Sequence, residues 1–237
     1  MKKILFLFFA FSIFASQSWA VIYIQSSSST SECDGKIVCQ NFEGVGYDNG
    51  ETWIETSYTD EDFTDTILRG AESMASGNQS GTGGGSVYTV VSGSEMWGHF
   101  LYRQDTNVAA GDYFFSIRES DGSTNVFRIY QNSNGTLAMR LGSSFVSYTT
   151  DAVSADMTYH IWWHYKEGTG DAEGQLKFTP ISTMSRGAWT GSAALSKTDG
   201  TAGTAARMYF EGDSLDNFFL IVDQVLVSNS DIPVVDP

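Results

Sequence analysis

The sequence predicts an all-β sandwich or jelly roll, and three observations carry that expectation. Short segments rich in Val, Ile, Phe, Tyr, Trp and Thr alternate with Gly, Ser, Asn and Asp clusters along the chain. No stretch sustains an apolar helical period for three turns. The composition, 41% hydrophobic and 14% aromatic with 24 Gly and 3 Pro, suits an ordered core with many tight turns rather than a disordered acidic tail. At 237 residues the chain is long enough for one such domain to bury its core.

The first twenty residues read as a secretory signal peptide. Lys2 and Lys3 form a positive start, the run 4–14 is apolar, and Ser18-Trp19-Ala20 places small residues around a cleavage site before Val21. An apolar run of about eleven residues is too short to span a bilayer as a helix. A secreted protein, periplasmic or extracellular, with no membrane anchor is therefore expected. Residues 21–31 are a Ser-rich lead-in, and 32–237 are expected to form a single domain. Export places Cys33 and Cys39 in an oxidising compartment, where the Asp34-Gly35 turn between them favours a disulfide over two buried thiols. With no further Cys and the nearest His sixty residues away, the pair is poorly suited to a metal.

Within the domain the expected strands are 37–43, 53–58, 86–91, 96–103, 113–119, 126–131, 136–141, 145–148, 158–166, 176–180, 207–210 and 218–228. The cluster Asn132-Ser133-Asn134-Gly135 between two apolar runs marks a hairpin, since Asn and Gly tolerate the positive φ of tight turns. The glycine-rich stretch 77–85 lacks the Lys-Ser/Thr ending and following helix of a phosphate cradle, so it reads as a surface loop. With 13 Lys+Arg against 28 Asp+Glu the formal charge is −15. That balance argues against a phosphate-tracking nucleic-acid binder.

Strand side chains alternate between two faces, so each segment can be divided. In 158–166, Tyr159, Ile161, Trp163 and Tyr165 form a core face, while His160, Trp162 and His164 form the other. In 96–103 the second face is Trp97, His99, Leu101 and Arg103; in 113–119 it is Phe114, Ser116 and Arg118, opposite Tyr113, Phe115 and Ile117. Arg128 and Tyr130 fall together with Val126 in the next segment, and Arg140 opposes Leu137, Met139 and Leu141. If these faces share one sheet, an acidic body carries a cationic, aromatic floor suited to a glycan: rings offer flat apolar surface to sugar C–H groups, and Arg forks bind hydroxyls or carboxylates. The alternative is ordinary solvent-facing residues paired with the abundant carboxylates. The expected ligand-binding set is Trp97, His99, Arg103, Arg118, Arg128, Tyr130, Arg140, His160, Trp162 and His164. Replacing Trp162 with Ala is expected to weaken glycan binding and leave the fold intact.

Metal sites are more constrained. His160 and His164 lie four apart on a strand, about 13 Å at ~3.3 Å per residue, whereas two ligands of one zinc must bring their nitrogens within ~4 Å. In the last strand Asp223 is expected to share an apolar face with Phe219, Ile221, Val225 and Val227, where it needs a partner. Glu43 ends the first strand in a similar setting. A structural Ca²⁺ held partly by Glu43 and Asp223 is one reading; hydrogen bonding of Asp223 to backbone amides is the other.

Cys39-Gln-Asn-Phe-Glu-Gly44, Glu95-Met-Trp97 leading to Phe100-Leu-Tyr-Arg103, the run from Tyr159 to Gly170, and Ile221-Val-Asp-Gln-Val-Leu-Val-Ser228 together resemble the concanavalin A-like lectin/glucanase superfamily in its laminin-G-like branch. The resemblance implies a two-sheet antiparallel jelly-roll sandwich, glycan binding on a concave sheet, and often structural calcium. The paired carboxylates of the similar glucanases are absent, Asp60-Glu61-Asp62 having the wrong spacing in a turn-like acidic cluster. Jelly-roll polysaccharide lyases use Arg, His and Tyr, and Arg103, Arg118, Arg128, His99, His160, His164 and Tyr130 are of the right types, although a Gln-Ile-His motif is missing. No nucleophile elbow supports a Ser hydrolase. The expected function is a non-catalytic, lectin-like carbohydrate-binding domain with an extracellular or cell-surface glycan as partner. The alternatives are a polysaccharide lyase acting on an anionic glycan, or an adhesive module making protein contacts.

Overall fold

The computed structural model describes residues 33, 35–40, 42, 53–55, 59–63, 73–76, 85–104, 112–212 and 220–235. The expected signal peptide, the Ser-rich lead-in, Glu43 and nearly all of the glycine-rich stretch lie outside them. Among the described residues there is no helix. The strands in chain order are β1 (Lys36–Gln40), β2 (Ile54–Glu55), β3 (Thr59–Phe63), β4 (Ser73–Ser76), β5 (Gly85–Gly93), β6 (Glu95–Gln104), β7 (Asp112–Arg118) and β8 (Asn125–Gln131), followed by β9 (Leu137–Leu141), β10 (Ser144–Val146), β11 (Tyr159–Lys166), β12 (Gly168–Pro180), β13 (Ala194–Ala202), β14 (Ala205–Gly212) and β15 (Leu220–Ser228).

They form two antiparallel sheets. Sheet I runs β13-β12-β11-β6-β15-β4-β3, and sheet II runs β10-β9-β8-β7-β14-β5-β2. The first strand pairs with the last: β1 takes the C-terminal half of β15, through Gln40 opposite Val225, while β4 takes its N-terminal half. The Asn132–Gly135 turn forms as expected, with Gly135 at φ 82° and its amide donating to the Asn132 carbonyl at 2.8 Å.

The core lies between the sheets. Sheet I contributes Met96, Phe100 and Tyr102 from β6, Ile161, Trp163 and Tyr165 from β11, and Leu220, Val222, Val225 and Val227 from β15. Sheet II answers with Val87, Phe115, Ile117, Phe127, Ile129, Leu137, Met139, Leu141, Met208 and Phe210. Phe100, Phe115 and Phe210 touch pairwise at centroid distances of 5.0–5.4 Å, and each such buried ring contributes roughly 1.5–3 kcal/mol. Trp163 lies against the backbone of Gly98 directly opposite it on β6, where an added Cβ would fall 2.0 Å from the ring.

Three strands escape the sequence pattern because they are polar. These are β3, β4 and most of β13. Asp60, Glu61 and Asp62, expected in a turn-like cluster, belong to β3 at the edge of sheet I. Charge on an edge strand discourages pairing with another chain.

Three bulges correct the expected faces. In β8, Ile117 pairs with Phe127 but Arg118 with Asn125, so Val126 is an extra residue, buried in the core instead of facing outward with Arg128 and Tyr130. In β7, Tyr113 pairs with Tyr130 but Phe115 with Ile129, so Phe114 is an extra residue. Phe114 is buried in the core against Tyr102 at 4.6 Å, and Tyr113 stands on the opposite, outer face with Ser116 and Arg118. In β15 the register shifts between Asp223 and Leu226, with Gln224 at φ 48°. The inward set is therefore Leu220 and Val222 before the bulge and Val225 and Val227 after it. Asp223 does not share a face with Val225 and Val227.

Candidate functional site

The expected floor is divided between the two sheets. Trp97, His99 and Arg103 on β6 and His160, Trp162 and His164 on β11 face outward from sheet I; Arg118 on β7, Arg128 and Tyr130 on β8, and Arg140 on β9 face outward from sheet II.

The outer face of sheet I is closed by chain. Residues 181–190 and 229–235 lie over it, joined by the Arg186 amide to the Pro233 carbonyl at 2.9 Å and the Val235 amide to the Met184 carbonyl at 3.0 Å. Arg186, only 5% exposed, grips both carboxylate oxygens of Asp231 at 3.0 and 2.7 Å and lies 3.8 Å from the Trp189 ring centroid. Burial lowers its pKa, with Asp231 opposing that shift. Lys177 donates to the Ala188 carbonyl at 2.7 Å, and burial, then the Arg186 charge, lowers its pKa too. Beneath this cover Trp162, Cys39, Leu226, Ile232 and Val235 form a second apolar cluster. Trp162 and His99 are 0% exposed. The Cys33–Cys39 disulfide is formed, its Cα atoms 5.4 Å apart, and both residues join the cluster.

The histidines serve as ties within that layer. His160 Nε2 meets the Ile181 carbonyl at 3.0 Å, and His160 Nδ1 meets His99 Nε2 at 2.8 Å. A carbonyl only accepts, so in the neutral pair His160 carries its proton on Nε2 and His99 donates from Nε2. His164 bridges Glu95 at 3.0 Å and Gln175 at 3.1 Å, with Trp97 stacked on it at 4.6 Å. Trp162 Nε1 donates to Thr179 at 3.1 Å. Arg103 makes a surface ion pair with Asp156 at 3.2 Å.

Sheet II presents a different surface. Strand register aligns seven outward residues across all seven strands: Ile54, Tyr88, Tyr209, Ser116, Arg128, Arg140 and Phe145. At ~4.8 Å per strand the row spans about 29 Å. Both ends reach solvent, Ile54 at 43% and Phe145 at 54% exposure. Beside the row runs an aromatic strip, in which Tyr113 meets Tyr130 at 5.6 Å, Tyr130 meets Phe145 at 6.1 Å, and Phe145 meets Tyr148 at 5.8 Å.

Four arginines stand on this face as two directly opposed pairs, Arg118 with Arg207 and Arg128 with Arg140. The first pair is held by neighbours. Arg118 is ion-paired to Glu211, donates from Nε to Ser116 Oγ at 3.1 Å and Asn125 Oδ1 at 3.2 Å, and lies 4.0 Å from the Tyr209 centroid. A hydrogen bond with Tyr209 is the main cause of the raised Arg207 pKa. The second pair has no carboxylate among the described residues. Arg128 donates to the Tyr130 hydroxyl at 2.9 Å and lies 5.1 Å from the Tyr113 centroid, and the Nε atoms of Arg128 and Arg140 are buried without partners. Burial, then Glu211, pushes the Tyr113 phenol up against the pull of Arg118 and Arg128. Tyr113 therefore stays protonated at neutral pH.

Sequence reasoning missed Tyr113, Tyr88, Tyr209, Arg207, Ile54, Phe145 and Tyr148. The β7 bulge hid Tyr113. For Tyr88 and Tyr209 a signal existed, since each sits between inward residues of a segment already read as a strand. The separation also bears on chemistry: all three histidines belong to sheet I and the unpaired arginines to sheet II. For calcium, Glu43 lies outside the described residues, Asp223 is buried with its Oδ1 accepting the Gln224 amide at 2.6 Å, and among the described residues no three His, Cys, Asp or Glu side chains converge as a metal site. Asp223, buried and turned to its neighbour's backbone, does not fit a calcium ligand.

Solved structures share this architecture. Cip1, a cellulose-induced protein, aligns at TM-score 0.58 with 14% identity, covering 84% of this chain and 100% of its own. The exoplasmic/lumenal domain of VIP36 in its Ca²⁺-bound form aligns at 0.53 with 10% identity, covering 86% and 93%. The fold is a concanavalin A-like jelly roll. The binding domain of botulinum neurotoxin serotype C1 shares the concanavalin A-like form at 0.56 with 12% identity, over 84% of this chain and 50% of that one. No protein-family model matches the chain, and no curated protein matches it in sequence. At such identities the likeness concerns the concanavalin A-like fold alone.

Proposed function

We propose that the protein is a secreted, non-catalytic carbohydrate-binding domain whose contact surface is the outer face of sheet II. The observation that carries this reading is the aromatic strip Tyr113, Tyr130, Phe145 and Tyr148 beside two arginines that take no carboxylate among the described residues. Rings flanking forked donors are the combination that stacks on sugar faces while holding their polar groups. A VIP36 domain in a Ca²⁺/Man3GlcNAc-bound form, aligned at TM-score 0.51, supports sugar binding on such a fold. The disulfide and the apolar, lysine-led N-terminus support export.

The lyase alternative weakens because all three histidines are buried and Arg103, the expected arginine on their face, is taken by Asp156, while Arg118 and Arg128 stand on the other sheet. Retention of the protein on immobilised neutral and acidic polysaccharides tests the reading. Phe145→Ala is expected to reduce retention about fivefold, the loss of one stacking ring, with an unchanged melting temperature. Absence of retention on every polysaccharide, or full retention by this variant, overturns the proposal.

A further inference from the structure

We propose that Arg128 and Arg140 form an anion clamp, so that the glycan bound across sheet II is an acidic polysaccharide held by its carboxylate or sulfate groups. This rests on the glycan-binding reading above and selects among its ligands.

Two guanidiniums directly opposite one another on adjacent strands repel, with Cβ atoms ~4.5–5.5 Å apart. Acidic residues outnumber basic ones 28 to 13, so partners are abundant. Most basic side chains use them: Arg118 takes Glu211, Arg186 takes Asp231, Arg103 takes Asp156, and Lys166 takes Glu173, while Arg207 bonds Tyr209 instead. Arg128 and Arg140 take none among the described residues, and each keeps a buried Nε without an acceptor. An uncompensated pair in an acid-rich chain is a cost that an arriving anion removes. Both side chains are half-buried beside Tyr130 and Phe145, which puts ring faces at the position of a sugar whose acidic substituent meets the clamp. The body at −15 repels a polyanion at a distance. Screening confines that repulsion to a Debye length of ~8 Å at physiological ionic strength, while the forks act in contact. Capture therefore comes from bidentate geometry rather than long-range attraction.

The test compares affinity electrophoresis in polygalacturonate, alginate and dextran sulfate with that in carboxyl-reduced polygalacturonate, carboxyl-reduced alginate and dextran. At least one acidic polymer is expected to bind about tenfold more strongly than its neutral counterpart. Arg128→Gln and Arg140→Gln should each erase most of that difference, and Arg140→Lys, which keeps the charge but loses the fork, should restore only part of it. Arg103→Gln on the other sheet should leave it unchanged. Melting temperatures report folding: relieving the repulsion leaves them unchanged or raised, whereas a structural role for the pair lowers them and overturns the clamp. Preference for dextran sulfate alone assigns the anion as a sulfate ester; preference for a uronate polymer assigns a carboxylate. Equal binding of acidic and neutral polymers overturns the clamp and leaves glycan binding standing, while binding to none overturns both.

Discussion

The outer faces of the two sheets carry the same kinds of residue and do opposite things with them. On sheet I, Trp162, His99 and His160 lie beneath residues 181–190 and 229–235, and their polar atoms meet Thr179, each other and the Ile181 carbonyl. On sheet II, Arg128 and Arg140 take no carboxylate among the described residues, and the aromatic strip includes an exposed Phe145. An aromatic and basic stripe is thus ambiguous until its cover is known: satisfied from within it becomes a second core, and unsatisfied it becomes a surface with something left to bind.

That contrast is open to breaking. The largest effect is expected at Trp162→Ala, which opens a cavity beneath the cover and should cost roughly 3–5 kcal/mol in denaturant unfolding; unchanged stability with lost glycan retention would invert the assignment of the two faces. Removing the Cys33–Cys39 link with paired Ser substitutions should cost about 2 kcal/mol, given the short loop it closes, and should leave glycan retention by the folded protein intact. The smallest is Asp231→Asn, which weakens the tie to Arg186. With Asp231 45% exposed, a loss of about 1 kcal/mol is expected in thermal melts, along with faster proteolysis within 229–235.

Much of the fold was legible because alternation survives in β6, β9 and β11, and in β8 from Phe127 onward, where inward and outward residues fall as a period of two requires. The polar strands β3, β4 and β13 were not, since their residues are those of loops and only pairing within the sheet makes them strands. The Cys33–Cys39 bridge was readable from spacing and compartment. The site was half legible. Arg118, Arg128, Tyr130 and Arg140 share one face as expected, but local sequence does not encode strand order, and nothing in Trp97 to Arg103 says that this strand belongs to the other sheet. Nor does the run at Trp162 announce the cover, because the residues that bury it arrive from 181–190 and 229–235.

The bulges in β7 and β15 work as frameshifts written in the backbone. Upstream of each, side chains keep one assignment to inside and outside; downstream the assignment is swapped by a single uncounted residue. Counting, rather than chemistry, turns Tyr113 toward Arg128 and keeps Asp223 out of step with Val225 and Val227. A substitution at these positions can weaken a face but cannot reassign it. Removing Phe114, the extra residue of β7, would keep Tyr113 opposite Tyr130 on the outer face and take one ring from the core.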